Sequence, residues 1–156
     1  LTFIYFTGKL QRITYCCHVF KRGGVKLVLN KKGVDILAPG GAKQQTAVHL
    51  VACRQTGTAT SILRILLAAA GKEIRLKSDG KGRIPILLAV EAGNQSMCRE
   101  LLSQQAAEQL RATTDNGDTA LHLAARKRDV DMVRILVDYG SNVDSQNVSH
   151  TLETRF

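Results

Sequence analysis

Several features that would settle a function outright are missing from this 156-residue sequence. No apolar run approaches the ~18 residues of a membrane-spanning helix, and the best stretch, Ile62 to Ala70, is short and carries Arg64. The opening Leu1-Thr2-Phe3-Ile4-Tyr5-Phe6 lacks the basic start and small-residue cleavage site of a secretory signal. A chain that begins at Leu rather than Met is expected to be a fragment. The four cysteines, Cys16, Cys17, Cys53 and Cys98, show no C-x-x-C spacing, and two of them fall on predicted helices. A disulfide framework is therefore not expected, and a reducing, cytoplasmic compartment is. Cys16-Cys17-His18 offers metal-ligand types, but adjacent residues rarely aim at one ion and no second cluster accompanies them, so no metal and no cofactor are expected.

Catalytic patterns are missing too. Ser61, Ser96 and Ser103 have no His or Asp at a recognisable spacing, and Gly80-Lys81-Gly82 lacks the Gly-Lys-Ser/Thr that holds phosphates. Asp115, Asp118, Asp129 and Asp131 read as caps and turns, not as paired catalytic carboxylates. The expectation is a chain with no catalytic residues.

The clearest unit runs from Asp115 to Asp144. Asp115-Asn116-Gly117-Asp118 has turn chemistry, because Asn and Gly reach positive φ cheaply and Asp side chains bond nearby N–H groups. Thr119 can cap the helix that follows. Leu121, Leu123, Ala124 and Ala125 give this first helix a narrow face of small residues. Val130, Val133, Ile135, Leu136 and Val137 give a second helix a broader one, with Gly140 as its stop. Helices this short need a neighbour. Thr119-Ala120-Leu121-His122-Leu123-Ala124 resembles the ankyrin signature Thr-Pro-Leu-His-x-Ala, with Ala in place of Pro. The fold this resemblance implies is an all-α ankyrin-repeat solenoid of helix-turn-helix units.

Earlier units can be read against this one. Thr46-Ala47-Val48-His49-Leu50-Val51-Ala52 opens a repeat over 46–78, whose second helix spans Ile62 to Ala70. Ile84-Pro85-Ile86-Leu87-Leu88-Ala89-Val90 opens another over 79–114, with Pro85 at a first helical position and a second helix from Ser96 to Ser103. The third repeat covers 115–147. Thr46 to Ile84 is 38 positions and Ile84 to Thr119 is 35. Ala52 to Arg64 is twelve steps where Val90 to Arg99 and Ala125 to Arg134 are nine, which places three extra residues in Gln55–Thr60. That loop is expected to be the most mobile. Residues 26–45 read as a partial repeat and linker. Residues 1–25 are unassigned, disordered or an artefact of how the chain is delimited, and 148–156 form an unassigned tail, so the array is expected to continue into neighbouring repeats of a longer parent chain.

In ankyrin repeats the signature imidazole ties the Thr hydroxyl to a neighbouring carbonyl, and the resemblance implies that structural role for Thr46, His49, Thr119 and His122. In the middle unit the corresponding positions are Ile84 and Leu87, both apolar, the exchange that strands no buried polar group. Leu88, Ala89, Leu101, Leu102, Leu123, Ala124, Ile135 and Leu136 are expected to form one continuous core strip. What remains is a concave face of turn tips and first helices, through which repeat proteins bind partners. The candidate contacts are Lys43, Gln45 and Arg54 on the first unit, Lys81, Arg83 and Glu91 on the second, and Asp118, Arg126, Lys127 and Arg128 on the third.

The net charge of +9 is uneven: residues 1–45 hold eight Lys and Arg against one acid, Asp35, while residues 46–156 hold fourteen against twelve. An acidic partner suits that bias. Nucleic acid is not expected, since few aromatics, Tyr15 and Phe20 among them, stand near the excess and no recognition motif surrounds them.

Longer stretches add a narrower likeness. His49-Leu50-Val51, Arg54-Gln55-Thr56-Gly57-Thr58-Ala59-Thr60, Leu66–Lys72, Leu88–Leu102 and Arg126–Gly140 resemble the N-terminal ankyrin array of the mechanosensory TRP channel class called no mechanoreceptor potential C. The likeness covers about residues 33–147 and leaves out 1–25 and 148–156. It implies a piece of a cytoplasmic tether that links a plasma-membrane cation channel to microtubules. The competing class is a free cytoplasmic ankyrin adaptor for an acidic protein.

Overall fold

Thr46, Ile84 and Thr119 share one backbone conformation, φ near −80° and ψ between 163° and 170°, and each turns an incoming extended segment into a short helix. Those helices are α1 (Ala47–Ala52), α3 (Pro85–Glu91) and α6 (Ala120–Arg126). Pro85 sits at the first helical position, where its missing N–H costs nothing. Each is followed by a partner, α2 (Ala59–Ala70), α4 (Gln95–Leu102) and α7 (Val130–Asp138); a 3-10 turn, Glu73–Arg75, and a further short helix, α5 (Ala106–Arg111), complete the set. The structure is a computed structural model that describes residues 35–145. Readings made on residues 1–34 and 146–156, Cys16-Cys17-His18 among them, lie outside the described residues.

Each first helix packs on its own second helix, α1 on α2, α3 on α4 and α6 on α7. Between units, α1 packs on α3 and α3 on α6 in one layer, and α2 on α4 and α4 on α7 in the other. Among the described residues there are seven α-helices and no strand, only the isolated bridges Gly40–Gln45 and Thr113–Thr119 at the turns. The all-α solenoid that the ankyrin resemblance implies is what forms.

The core is the strip the sequence implies. Leu88, Ala89, Leu101, Leu102, Leu123, Ala124, Ile135 and Leu136 are all buried, continuous with Val48, Leu63, Leu66, Ile86, Met97 and Met132. The first helices bury alanines (Ala52, Ala89, Ala124) beside larger residues such as Ile86 and Leu87, and α2, α4 and α7 bury Leu66, Leu101 and Leu136. Each fully buried Leu or Ile contributes about 1.5–3 kcal/mol of transfer free energy.

Helix ends are closed by named groups. The Asn94 and Asp129 side chains accept the N–H groups of Met97 and Met132 at 3.1 and 3.0 Å. At the end of α7, Gly140 takes φ +91°, so that Ser141 N–H reaches Leu136 O and Gly140 N–H reaches Val137 O, the glycine stop expected there. The connection inside the first unit runs over 53–58 and those in the others over 92–94 and 127–129. The three extra residues thus fall between the helices as the spacing implies, although Ala59 and Thr60 already belong to α2.

α5 is not anticipated by the apolar pattern. Gln105 enters it at φ +55°, and the buried Gln109 amide donates to Leu101 O and Gln104 O, both at 2.8 Å. A glutamine thereby satisfies carbonyls that the end of α4 leaves open.

Arg75 is the misfit of the core edge. It is 5% exposed, its Nε has no hydrogen-bond partner, and burial pushes its pKa down, opposed by the charge of Glu100. Counting back from Thr46 and Thr119, the corresponding residues are Leu37, half-buried, and Leu110, buried. Glu100 keeps Arg64 at 2.7 Å whatever happens at residue 75. Arg75→Leu is therefore expected to raise stability by about 1–3 kcal/mol, seen as a higher urea midpoint; a lower midpoint would mean that the guanidinium is well solvated.

Candidate functional site

The turns before α1, α3 and α6 stack on one another, and the stack sets the binding face. Gly80 N–H donates to Lys43 O at 2.9 Å, which fixes the second turn against the first. Gly82 has φ +69°, and a Cβ there would stand 2.6 Å from Asp115 Oδ1 of the third turn. The Asp115 carboxylate could shift away from such a Cβ, so it is the positive φ that favours glycine at this position.

The second turn is organised by Asp79. Its Oδ1 accepts the N–H groups of Lys81 and Arg83 at 2.9 and 3.0 Å, and its Oδ2 accepts Arg83 Nη2 at 2.9 Å and Gln45 Nε2 at 3.4 Å. Burial alone would raise this carboxyl's pKa, but the Arg83 guanidinium and the two N–H donors outweigh it and hold it below the usual value. Arg83 then reaches along α3 to Glu91 at 3.0 Å. The third unit reverses the signs. Asp118 takes the Arg83 position, Arg126 takes that of Glu91, and they meet at 2.6 Å. In these two units an ion pair runs along the first helix from its turn to its last turn.

The candidate contacts therefore separate by burial. Lys43, Lys81, Arg126, Lys127 and Arg128 are exposed. Arg126 keeps 63% of its side chain exposed while paired, and the Lys127 ammonium bonds the Glu91 carbonyl. Gln45, Arg54, Arg83 and Glu91 are half-buried. Asp118 corrects the expectation of an exposed charge: it is 3% exposed, because the turn folds it under Arg126 and its own N–H and carbonyl are bonded to Thr114.

The signature histidines tie into their own helix caps, and His49 also reaches the next unit. Thr46 N–H donates to His49 Nδ1 at 3.2 Å, so Nδ1 is unprotonated and the ring proton lies on Nε2, which donates to Arg83 O of the next unit at 2.9 Å. The Thr46 hydroxyl also meets Nδ1 at 2.8 Å. Thr119 and His122 repeat the local part, with N–H to Nδ1 at 3.2 Å and Oγ1 to Nδ1 at 2.8 Å. Burial depresses the His49 pKa, which the bond to Arg83 O and the charge of Asp79 only partly offset.

Metal-ligand side chains do not cluster among the described residues. No group of three or more His, Cys, Asp or Glu could hold a metal there. Burial raises the Cys53 thiol and pushes Cys98 up to about 12, so neither is a thiolate at neutral pH. No helix among the described residues is long and apolar enough to cross a membrane. The sequence reading passed over Asn94 and took Asp129 only as one of a set of caps and turns; the two stand three residues ahead of a buried Met in successive units, a spacing that marks a cap.

Comparison with known proteins agrees with this geometry. The profile of the family described as ankyrin repeats (3 copies) matches residues 48–147. The chain is 36% identical over 109 residues to NF-kappa-B inhibitor alpha of Rattus norvegicus, covering 66% of this chain and 32% of that protein. It is 34% identical over 76 residues to an ankyrin repeat-containing protein of Treponema pallidum, covering 49% of this chain and 25% of that one. The chain thus spans a third or less of the length of these relatives.

Proposed function

Since this chain belongs to the ankyrin-repeat family, we propose that it is a non-enzymatic protein-interaction module that holds an acidic protein partner against its turn tips and first helices. The observation that carries the reading is the ion-paired frame, Asp79–Arg83–Glu91 and Asp118–Arg126, which fixes that face while leaving Lys43, Lys81, Lys127 and Arg128 exposed along it. A face set before binding loses little side-chain entropy on binding. The similarity to NF-kappa-B inhibitor alpha supports the adaptor form of this reading, a cytoplasmic module acting on a soluble protein.

A second reading makes the chain part of a tether below a plasma-membrane TRP cation channel, with microtubules as the acidic partner. It rests on the likeness of the longer stretches, above all the Arg54-Gln55-Thr56-Gly57-Thr58 insertion. Co-sedimentation with stabilised microtubules, beside a pull-down of soluble acidic proteins and a nucleic-acid control, separates the two.

Charge-driven binding should weaken steeply as salt shortens the screening length from ~10 Å at 0.1 M to ~3 Å at 1 M. Lys81→Glu with Arg128→Glu is the informative double reversal, because both side chains are exposed, whereas reversing Arg83 or Arg126 would break the frame itself. It is expected to lower affinity for either partner at 0.1 M salt and to leave the urea midpoint nearly unchanged. Binding that ignores salt and the double reversal alike would sink the acidic-partner reading.

A further inference from the structure

The inserted segment between α1 and α2 has a chemistry that the other units lack. It brings Thr56, Thr58 and Thr60 together two to six positions after Arg54. Thr56 and Thr58 are exposed; Thr60 is half-buried and its hydroxyl is directed at Gly57 O. The segment is held at its base. Asn94 Nδ2 donates to Arg54 O at 2.5 Å, and the Gln55 amide bonds Ala92 O. Those two bonds place Thr56 on the wall of a groove of about 350 Å³, lined by Gln55, Thr56, Gly57 and Thr60 on one side and by Gly93, Asn94, Gln95 and Ser96 on the other. Thr56 Oγ1 receives only a long bond, 3.4 Å, from the Thr58 hydroxyl.

The far wall of that groove is the start of α4. Asn94 satisfies Met97 N–H through its side chain and Cys98 N–H through its carbonyl, while the N–H groups of Gln95 and Ser96 have no acceptor among the described residues. The Asp129 carboxylate faces the same wall, 3.8 Å from where a Cβ on Gly93 would be. That negative charge works against capture of a free anion, but not against one tethered across the groove, whose effective concentration there is far higher.

We propose that Thr56 is a phosphorylation site for a basophilic Ser/Thr protein kinase, which reads Arg54 two residues before it, and that the phosphate closes the groove onto the Gln95 and Ser96 N–H groups. In the modification Thr56 Oγ1 attacks the γ-phosphorus of ATP. The Oγ1–P bond forms as the bond to the bridging oxygen of departing ADP breaks, and the hydroxyl proton passes to the kinase's base. The product carries about −1.5 to −2 charges at pH 7 and three acceptor oxygens. Placed at the positive end of α4, it would tie the inserted segment of the first unit to the second.

The full chain, incubated with ATP and the catalytic subunit of a basophilic Ser/Thr kinase, tests this by mass-spectrometric mapping and amide NMR. One phosphate is expected at residue 56 in the wild type and in Thr58→Ala, much slower labelling in Arg54→Gln, and none on this segment in Thr56→Ala. The phosphorylated protein should show downfield Gln95 and Ser96 amide signals that titrate with the phosphate near pH 6, about the second phosphate pKa. Absence of label at residue 56, label that persists on the segment in Thr56→Ala, or unmoved Gln95 and Ser96 signals would each overturn the proposal.

Discussion

Leu136→Ala is expected to lower the unfolding free energy by about 2–5 kcal/mol, while Val137→Ala, its immediate neighbour, should cost less than about 1 kcal/mol. The two residues are adjacent on α7, about 100° apart around its axis, and differ in burial: Leu136 is fully buried and Val137 is 43% exposed. Leu136 lies on the helix that packs both on α6 and on α4, so its truncation opens a cavity that serves two contacts at once. In a stack where each unit touches only its neighbours, such a loss weakens the unit and the interface to the unit before it. Urea midpoints of the two variants, read at constant slope, give the comparison. Equal midpoints would mean that the α4–α7 packing carries little of the stability.

The second large effect is centred on His49. His49→Ala removes the acceptor of Thr46 N–H and the donor to Arg83 O, and leaves a cavity at a fully buried position, an expected loss of about 2–4 kcal/mol. Arg83 O still accepts Asp79 N–H at 2.9 Å, so the carbonyl is not stranded. Thr46→Ile with His49→Leu, which copies the Ile84 and Leu87 of the middle unit, should cost much less. It should also remove a pH dependence. The folded pKa of His49 lies below its ordinary 6.5 because burial disfavours the imidazolium, so in the window just below 6.5 the unfolded chain binds the extra proton. Stability from this residue is fully present above 6.5 and is lost as pH falls from there toward the folded pKa. A wild-type midpoint that drops between pH 7.5 and 5.5 more than that of the double variant is the expected result. Parallel curves would refute the assignment of a neutral, buried imidazole.

The caps, the core strip and the solenoid itself were legible because each rests on local chemistry repeated at a fixed spacing. Pro85 at a helix start and Gly140 after α7 read correctly from a few adjacent residues, and the Thr–His pairs entered through the ankyrin likeness. α5 was not legible, since its stability depends on Gln109 reaching carbonyls of the preceding helix, a contact that no period in the sequence announces. The burial of Asp118 was missed for a related reason. Arg83 with Glu91 and Asp118 with Arg126 are both opposite charges eight residues apart, but with the signs exchanged, so either unit read alone looks like an ordinary solvated helix. Set side by side, the two pairs disclose the ion pair along the helix face.

The exchange of Thr-His for Ile-Leu in the middle unit gives the array two unlike joints. The joint between α1 and α3 includes a directional bond from an imidazole to a peptide carbonyl, whereas at the corresponding place between α3 and α6 Leu87 offers only contact. A hydrogen bond weakens steeply once its angle or length departs from a narrow range, but dispersion contact declines gradually as surfaces slide. Under a pull along the stack, the first joint therefore behaves as a brittle catch and the second as a compliant bearing.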